Sequence, residues 1–282
     1  MSKGIIVLAQ NNSVDNYVDQ ACLLAMSLKI HNTVPISLVT DDNVPEEYVD
    51  LFDQIIPIPF GDKAKNSDWK IENRWKLYYC SPYKETIVMD TDMLVLQNID
   101  SWFDFLSKYK MFFTSKVLNY RGTESNTFYY RKTFVHNNLP NLFSGLHYFK
   151  KCEFAQDFYH WMEMVLNNWE AFYEQHLTAI SRPAHPSIDV CAAITARIMG
   201  CENDITNNNI DFFTFTHMKA RCQGWNETHT SSSWQDQVNT YISKDGTLKI
   251  GNYLQTGILH YTEKDFLKKI PVLECYRNLI NV

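Results

Sequence analysis

The sequence has no Cys-x-x-Cys pair, no long basic tract, and no apolar run approaching the length of a bilayer span. Its seven cysteines (Cys22, Cys80, Cys152, Cys191, Cys201, Cys222 and Cys275) are scattered and odd in number. That argues against a zinc knuckle and against a disulfide framework, and fits a reducing compartment. The net charge is −6 with both signs mixed along the chain, so there is no strong nucleic-acid signal. The first apolar run, Gly4 to Leu8, is too short for a secretion signal and ends at Gln10-Asn11-Asn12. These absences predict a cytoplasmic protein without a transmembrane segment. The basic run from Lys264 to Lys269 then reads either as a weak peripheral anchor to a membrane or as a solvated helix end. There is no internal repeat, low-complexity tract or clear domain boundary. What remains is 282 residues, 45% hydrophobic and 14% aromatic, enough for the core of one large domain or two small ones.

The stretch around which the chain is organised is Ile87-Val88-Met89-Asp90-Thr91-Asp92-Met93-Leu94-Val95. A short apolar run without alternation predicts a central buried strand. Ending it in Asp-Thr-Asp puts two carboxylates at the carboxyl edge of a sheet, where open α/β sheets bind ligands. Neighbouring anions repel unless a cation or protons lie between them. Hard divalent ions such as Mg²⁺ or Mn²⁺ take oxygen ligands and bridge to phosphate. The same residues are also ordinary turn formers, so the context has to decide.

The context is an α/β pattern. Ile5 to Leu8 reads as a strand, Asp15 to Asn32 as a helix, and Ile36 to Val39 as a second strand ending at Asp41-Asp42. Strand–helix–strand predicts a parallel sheet. An acidic residue at that edge accepts hydrogen bonds from a ribose or base, or caps a following helix. Gln54 to Ile58 reads as a strand and Trp69 to Tyr79 as a helix carrying Arg74 and Lys76. Lys110 to Ser115 reads as a strand, and Asn141 to Phe149 as a loop entering one, with Gly145 placed for close backbone approach. Glu153 to Glu174 reads as one long amphipathic helix. A helix opens at Ser187 with Asp189 in its first turn, where dipole compensation is the ordinary role. Ile210 to Phe215 reads as a strand, Asp245-Gly246 as a hairpin turn, and Gly257 to Tyr261 as a last strand carrying His260.

Taken in order, these features resemble the nucleotide-sugar glycosyltransferases of GT-A fold, and most nearly the family-eight retaining enzymes of the lipopolysaccharide galactosyltransferase and glycogenin type. Arg74-Trp75-Lys76-Leu77 resembles that family's R-x-K-L, and Asp90-Thr91-Asp92-Met93-Leu94-Val95 its D-x-D-x-L-V. Gly257 to Tyr261 resembles the strand that bears a third metal ligand. No one motif is specific; their order is. Two departures stand out. Phe143-Ser144-Gly145 replaces Asn-Ala-Gly or Asn-Ser-Gly. The final H-x-x-G-x-x-K-P-W is reduced to His260-Tyr261-Thr262-Glu263-Lys264, which leaves Lys264, Lys268 or neither as the diphosphate lysine.

The resemblance implies an α/β fold with a mixed, mostly parallel central sheet flanked by helices. It implies one domain over residues 1–282, with a nucleotide-sugar half (1–115) and an acceptor half (116–282). Asp90, Asp92 and His260 would hold Mn²⁺ or Mg²⁺ against the diphosphate of a UDP-sugar or other nucleoside-diphosphate sugar. Ala9, Gln10, Asn11 and Asp41 would hold the base and ribose, with Tyr17 stacking on the base or belonging to the core. Arg74, Lys76, Thr91 and Lys264 would face the diphosphate, and Ser144 and Gly145 the donor sugar. Asp189 would orient the sugar or the acceptor hydroxyl. The implied reaction moves a hexose, with retention, to a glycan, lipid-linked or other hydroxyl acceptor. Two rivals share the fold: a sugar-phosphate nucleotidyltransferase and a non-catalytic nucleotide-sugar-binding relative. The first is disfavoured because Ala9 to Ser13 offers neither glycine nor cation for a triphosphate.

Overall fold

The computed structural model describes residues 2–65, 67, 70–125, 131–218, 239–261 and 270–281. The aromatic run 126–130, the polar stretch 221–233, Lys264 and Lys268 lie outside the described residues. Strand β1 (Lys3–Leu8) leads through helix α1 (Tyr17–His31) to β2 (Ile36–Val39) and β3 (Gln54–Ile56). A 3-10 turn (Arg74–Lys76) runs into the single-turn helix α2 (Leu77–Cys80), and then come β4 (Glu85–Met89) and β5 (Met93–Val95). Next are α3 (Trp102–Leu106), β6 (Met111–Thr114), α4 (Lys132–His136) and β7 (Phe143–Lys150). They are followed by α5 (Glu153–Asn167), α6 (Trp169–His176) and α7 (Ile188–Met199). The chain closes with β8 (Thr216–His217), β9 (Thr240–Ile242), β10 (Leu248–Ile250), β11 (Tyr253–Leu254), β12 (Ile258–His260) and α8 (Val272–Ile280).

The central sheet has the order β3-β2-β1-β4-β7-β6. The first four strands run parallel, and β7 is antiparallel to both β4 and β6. Side chains alternate across the sheet, as the period of two requires. Ile5, Val7, Ile87 and Met89 enter the core shared with α1 and α3. Ile6, Leu8 and Val88 enter the opposite core, shared with α5 and α7. Burial on both faces explains why these strands read as continuous apolar runs. Each such side chain contributes about 1.5–3 kcal/mol on burial. Chain order reverses direction across the sheet between β1 and β4, so their carboxyl ends open a crevice at Leu8 and Met89. A second sheet, β5-β12-β8, lies beside this edge and sets His260 in register with Met93 and His217. Among the described residues, no helix is long and apolar enough to cross a membrane.

Three elements differ from the sequence reading, each because a polar side chain or packing outcompeted periodicity. The helix expected over 69–79 begins only at Arg74, because the Asn73 side chain donates to Gln10 Oε1 at 2.9 Å and Asp62 Oδ1 at 2.5 Å. The helix expected over 153–174 breaks at Asn168, whose side-chain amide takes the Met164 carbonyl and whose backbone leaves helical geometry. No strand forms over 210–215. Phe213 and Phe215 are buried against Trp102 and Phe143 instead, and the ladder begins at Thr216. The expected hairpin is present, with Gly246 in the left-handed region at φ 84° between β9 and β10.

Gly4 sits under the Tyr83 ring, and a methyl there would lie 2.3 Å from a ring carbon. Tyr83 cannot easily yield, since it is buried and its hydroxyl is 2.7 Å from Ser37 Oγ. We expect Gly4→Ala to destabilise the fold by about 1–3 kcal/mol in urea denaturation. An unchanged midpoint would show that the ring is free to move.

Candidate functional site

At Met89 the central strand ends and the chain turns through Asp90-Thr91-Asp92 before leaving as β5. Both sheets pin this turn. The Asp90 N–H donates to the Gly145 carbonyl of β7 at 2.9 Å, and the Asp92 carbonyl accepts from the Tyr261 N–H, just beyond β12, at 3.0 Å. Asp90, Asp92 and His260 therefore converge, each offering a ligand atom within 4.8 Å of the others. His260 Nε2 lies 3.0 Å from Asp92 Oδ1 and 3.9 Å from Asp90 Oδ2. Asp92 and His260 are buried and Asp90 is half-buried. The His217 ring lies against His260 at a centroid distance of 4.7 Å.

Gly145 makes the Asp90 position possible. A Cβ at residue 145 would stand 2.5 Å from Asp90 Oδ2, so the glycine cradles a carboxylate of the site itself. On its other side, Asp90 Oδ1 meets Arg74 Nη2 at 2.5 Å. Arg74 is buried and also reaches the Ser144 carbonyl at 3.3 Å. Two carboxylates and an imidazole converging in this way fit a divalent ion. Mixed oxygen and nitrogen donors suit Mn²⁺ better than Mg²⁺.

The cleft over this cluster gathers residues from five places: Leu8 ending β1 with Gln10 just beyond it, Tyr17 of α1, Lys70, Ile71 and Arg74 of the segment leading through the 3-10 turn to α2, the Asp-Thr-Asp turn, and Ile188 of α7. Gln10, Tyr17, Arg74 and Thr91 thus all line one cleft. Thr91 Oγ1 donates to Gln20 Oε1 at 3.3 Å. Ala9 and Asn11 support the loop: the Ala9 N–H donates to the Val39 carbonyl, and Asn11 Oδ1 accepts from the Val18 N–H. Asp41 accepts from the Ile58 N–H at 2.9 Å, whereas its neighbour Asp42 accepts from the Asn11 N–H at 2.7 Å. Lys76 is buried, donates to the Gly61 carbonyl, and has its pKa lowered by burial. Neither Asp41 nor Lys76 is among the described residues that line the cleft. Lys264 lies outside the described residues.

Asp189 is held rather than free. Its Oδ1 accepts from the Ser144 N–H at 2.8 Å and its Oδ2 pairs with Arg131 Nη1 at 2.7 Å. The Arg131 guanidinium is sandwiched between the rings of Phe134 and Phe143, at 3.7 and 4.0 Å from their centroids. It also donates to Asn141 Oδ1 and to the Leu142 carbonyl. The Ser144 Oγ is buried and has no hydrogen-bond partner among the described residues. Lys70, Arg131 and His147 were missed in the sequence because a lone cation or histidine carries no periodic signal.

His147 fixes the same strand from beneath. Its Nδ1 is 2.8 Å from the Ser144 carbonyl and its Nε2 is 2.6 Å from the Tyr159 hydroxyl. The carbonyl can only accept, so Nδ1 carries the proton and Nε2 accepts from Tyr159. Burial pushes its pKa down to about 3, against a smaller upward pull from the Ser144 carbonyl.

Two outcomes follow from this geometry. Gly145→Ala should keep the fold, since the obstructing atom ends a side chain, but displace the Asp90 carboxylate. We expect Mn²⁺ affinity to fall about tenfold or more by calorimetry; unchanged affinity would remove Asp90 from the metal cluster. For His147 the unfolded chain takes up a proton below the ordinary histidine pKa of 6.5, while the folded chain does so only near 3. Stability should therefore fall as pH drops from 6.5 towards 3, with His147 contributing at most about 1.4 kcal/mol per pH unit. His147→Gln should show a shallower decline in urea unfolding between pH 6.5 and 4; an identical decline would mean that His147 is not buried neutral.

No family model matches the sequence, and no curated protein matches it. Solved structures do. The apo form of mouse xyloside xylosyltransferase 1 matches with TM-score 0.52 and 12% identity, covering 93% of this chain and 98% of that one. The apo glycosyltransferase GlyE of Streptococcus pneumoniae TIGR4 matches with TM-score 0.41 and 12% identity, covering 74% of this chain and 46% of GlyE. The apo bifunctional glycosyltransferase WbbM matches with TM-score 0.38 and 15% identity, covering 58% of this chain and 34% of WbbM. This chain thus spans less than half the length of GlyE and nearly all of the xylosyltransferase. The likeness to the xylosyltransferase is one of fold: the chain has the mixed α/β architecture of the GT-A glycosyltransferases.

Proposed function

We propose that this chain is a metal-dependent glycosyltransferase. It moves a hexose from a nucleoside-diphosphate sugar, a UDP-sugar in the first instance, to a hydroxyl of a glycan or lipid-linked acceptor, with retention at the anomeric carbon. The observation that carries the reading is the Asp90–Asp92–His260 cluster beside Arg74, at the carboxyl ends of β1 and β4 where an α/β sheet binds ligands.

Asp90, Asp92 and His260 hold the divalent ion, Mn²⁺ in preference to Mg²⁺. When bound, that ion supplies positive charge against the donor diphosphate. Arg74 does the same from a fixed position, since Asp90 and the Ser144 carbonyl orient its guanidinium. Pre-orientation of this kind favours the charge that develops as the anomeric C–O bond breaks. Gln10, supported by Ala9 and Asn11, faces the base and ribose. Tyr17, which also lines the cleft, supplies an aromatic surface for the base. Asp189 has lone pairs beyond those used by Arg131 and Ser144, and these orient the donor sugar or the acceptor hydroxyl. Ser144 and Gly145 line the sugar side. Residues 1–115 form the nucleotide-sugar half, to which Ser144, Gly145 and His260 of the acceptor half (116–282) also contribute.

The test is donor turnover. The purified chain is incubated with a panel of nucleoside-diphosphate sugars and Mn²⁺, and release of nucleoside diphosphate is followed with and without acceptor glycosides. The expected result is metal-dependent release from one donor, lost at least about a hundredfold in Asp92→Asn with circular dichroism unchanged. Full activity in Asp92→Asn, or after exhaustive chelation, would contradict the mechanism. Pyrophosphate-dependent formation of a nucleoside triphosphate would move the chain to the nucleotidyltransferases.

A further inference from the structure

The donor cleft has an unbalanced charge. Asp90 and Asp92 contribute two negative charges, a divalent ion two positive, and Arg74 one. A nucleoside-diphosphate sugar brings two negative charges on its diphosphate and gains another as the sugar leaves. The cleft is therefore one cation short before the reaction and further short during it, in a site where unpaired charge is expensive.

Among the described residues, the other cation lining the cleft is Lys70. Its backbone lies in the left-handed region at φ 54°, which non-glycine residues rarely occupy and which clusters at functional sites. Its ammonium donates to the carbonyls of Ala64 at 2.6 Å and Lys65 at 3.0 Å. Two of its three donors are thus used on neutral backbone, and the third has no partner among the described residues. The nearby carboxylate that feels its charge, Asp62, already accepts from the side chain of Asn73 and the backbone N–H of Ala64. Lys70 is therefore a charged group held on neutral acceptors at the rim of an anion site. Of the nearby cations on the turn before α2, Arg74 is already counted in the site and Lys76 does not reach the cleft. Arg74 is paired with Asp90, and Lys76 is buried on the Gly61 carbonyl.

We propose that Lys70 is a diphosphate-binding residue of the donor cleft, supplying the cation that the metal cluster and Arg74 leave wanting. The proposal rests on the donor-site reading above. A flexible ammonium on a loop suits a ligand whose charge grows during the reaction, because it can follow the departing diphosphate as a point charge.

The test is calorimetric titration of the intact chain with UDP, GDP and UMP in Mn²⁺ buffer, comparing wild type, Lys70→Asn, Lys70→Arg and Lys264→Gln. Asparagine tolerates the left-handed backbone, so the loop keeps its conformation, and arginine keeps the charge. We expect Lys70→Asn to weaken the preferred diphosphate by about tenfold to a hundredfold, to weaken UMP by much less, and Lys70→Arg to recover most of the loss. Unchanged diphosphate affinity in Lys70→Asn overturns the proposal while leaving the donor site standing. So does a loss confined to Lys264→Gln. An equal loss for UMP and diphosphate also overturns it, since a collapsed cleft gives that pattern. Failure of the wild type to bind any diphosphate overturns the donor-site reading itself.

Discussion

The structure turns on the crowding of negative charge at the end of one buried strand. Asp90 and Asp92 are separated by a single residue and both face His260. Carboxylates so placed repel unless cations and donors hold them. The fold answers with Arg74 on one side of Asp90 and the missing side chain of Gly145 on the other. The turn itself is hydrogen-bonded into both sheets, through the Gly145 carbonyl and the Tyr261 N–H. The tension is thereby confined to side chains, and the backbone that presents them is fixed. That is the arrangement expected where a divalent cation is to be recruited rather than a structural ion pair completed.

The backbone of Ser144 is the link between this cluster and the rest of the cleft. Its carbonyl accepts from both Arg74 and His147, and its N–H donates to Asp189. Asp189 in turn is locked to Arg131, which lies between two aromatic rings. A buried neutral histidine, a buried arginine and the first turn of α7 are therefore all referred to the backbone of one residue, immediately before the glycine that makes room for Asp90. Cations and donors placed in this way are oriented before any ligand arrives, which is where electrostatic catalysis gains most.

How much of this the sequence disclosed follows from the range of each interaction. Strand ends, the Asp-Thr-Asp turn and the His260 strand are local patterns, and they were legible. The order β3-β2-β1-β4 follows from strand–helix–strand units and a reversal of direction. Gly145 was legible as a close-approach glycine, but what approaches it is Asp90, 55 positions earlier. The Arg131–Asp189 pair joins residues 58 apart, and nothing in the spacing of either announces it. Lys76 looked like a phosphate cation because it shares a short helix with Arg74. Two residues further along that turn its side chain enters the interior and ends on a carbonyl. The missed break at Asn168 and the absent strand at 210–215 share a cause: apolar periodicity reports burial, not which backbone groups pair.

In the proposed function, the carboxylate–histidine cluster and the cleft beside it are one site that takes a metal ion and a nucleoside diphosphate together. Its most direct test is the linkage between the two ligands. Mn²⁺ binding is followed by electron paramagnetic resonance in the absence and presence of saturating UDP or GDP, corrected for the ion bound by free nucleotide. One diphosphate should tighten Mn²⁺ binding, and Mn²⁺ should tighten that diphosphate by the same factor. Independent binding of the two, or no Mn²⁺ bound with or without diphosphate, would contradict it.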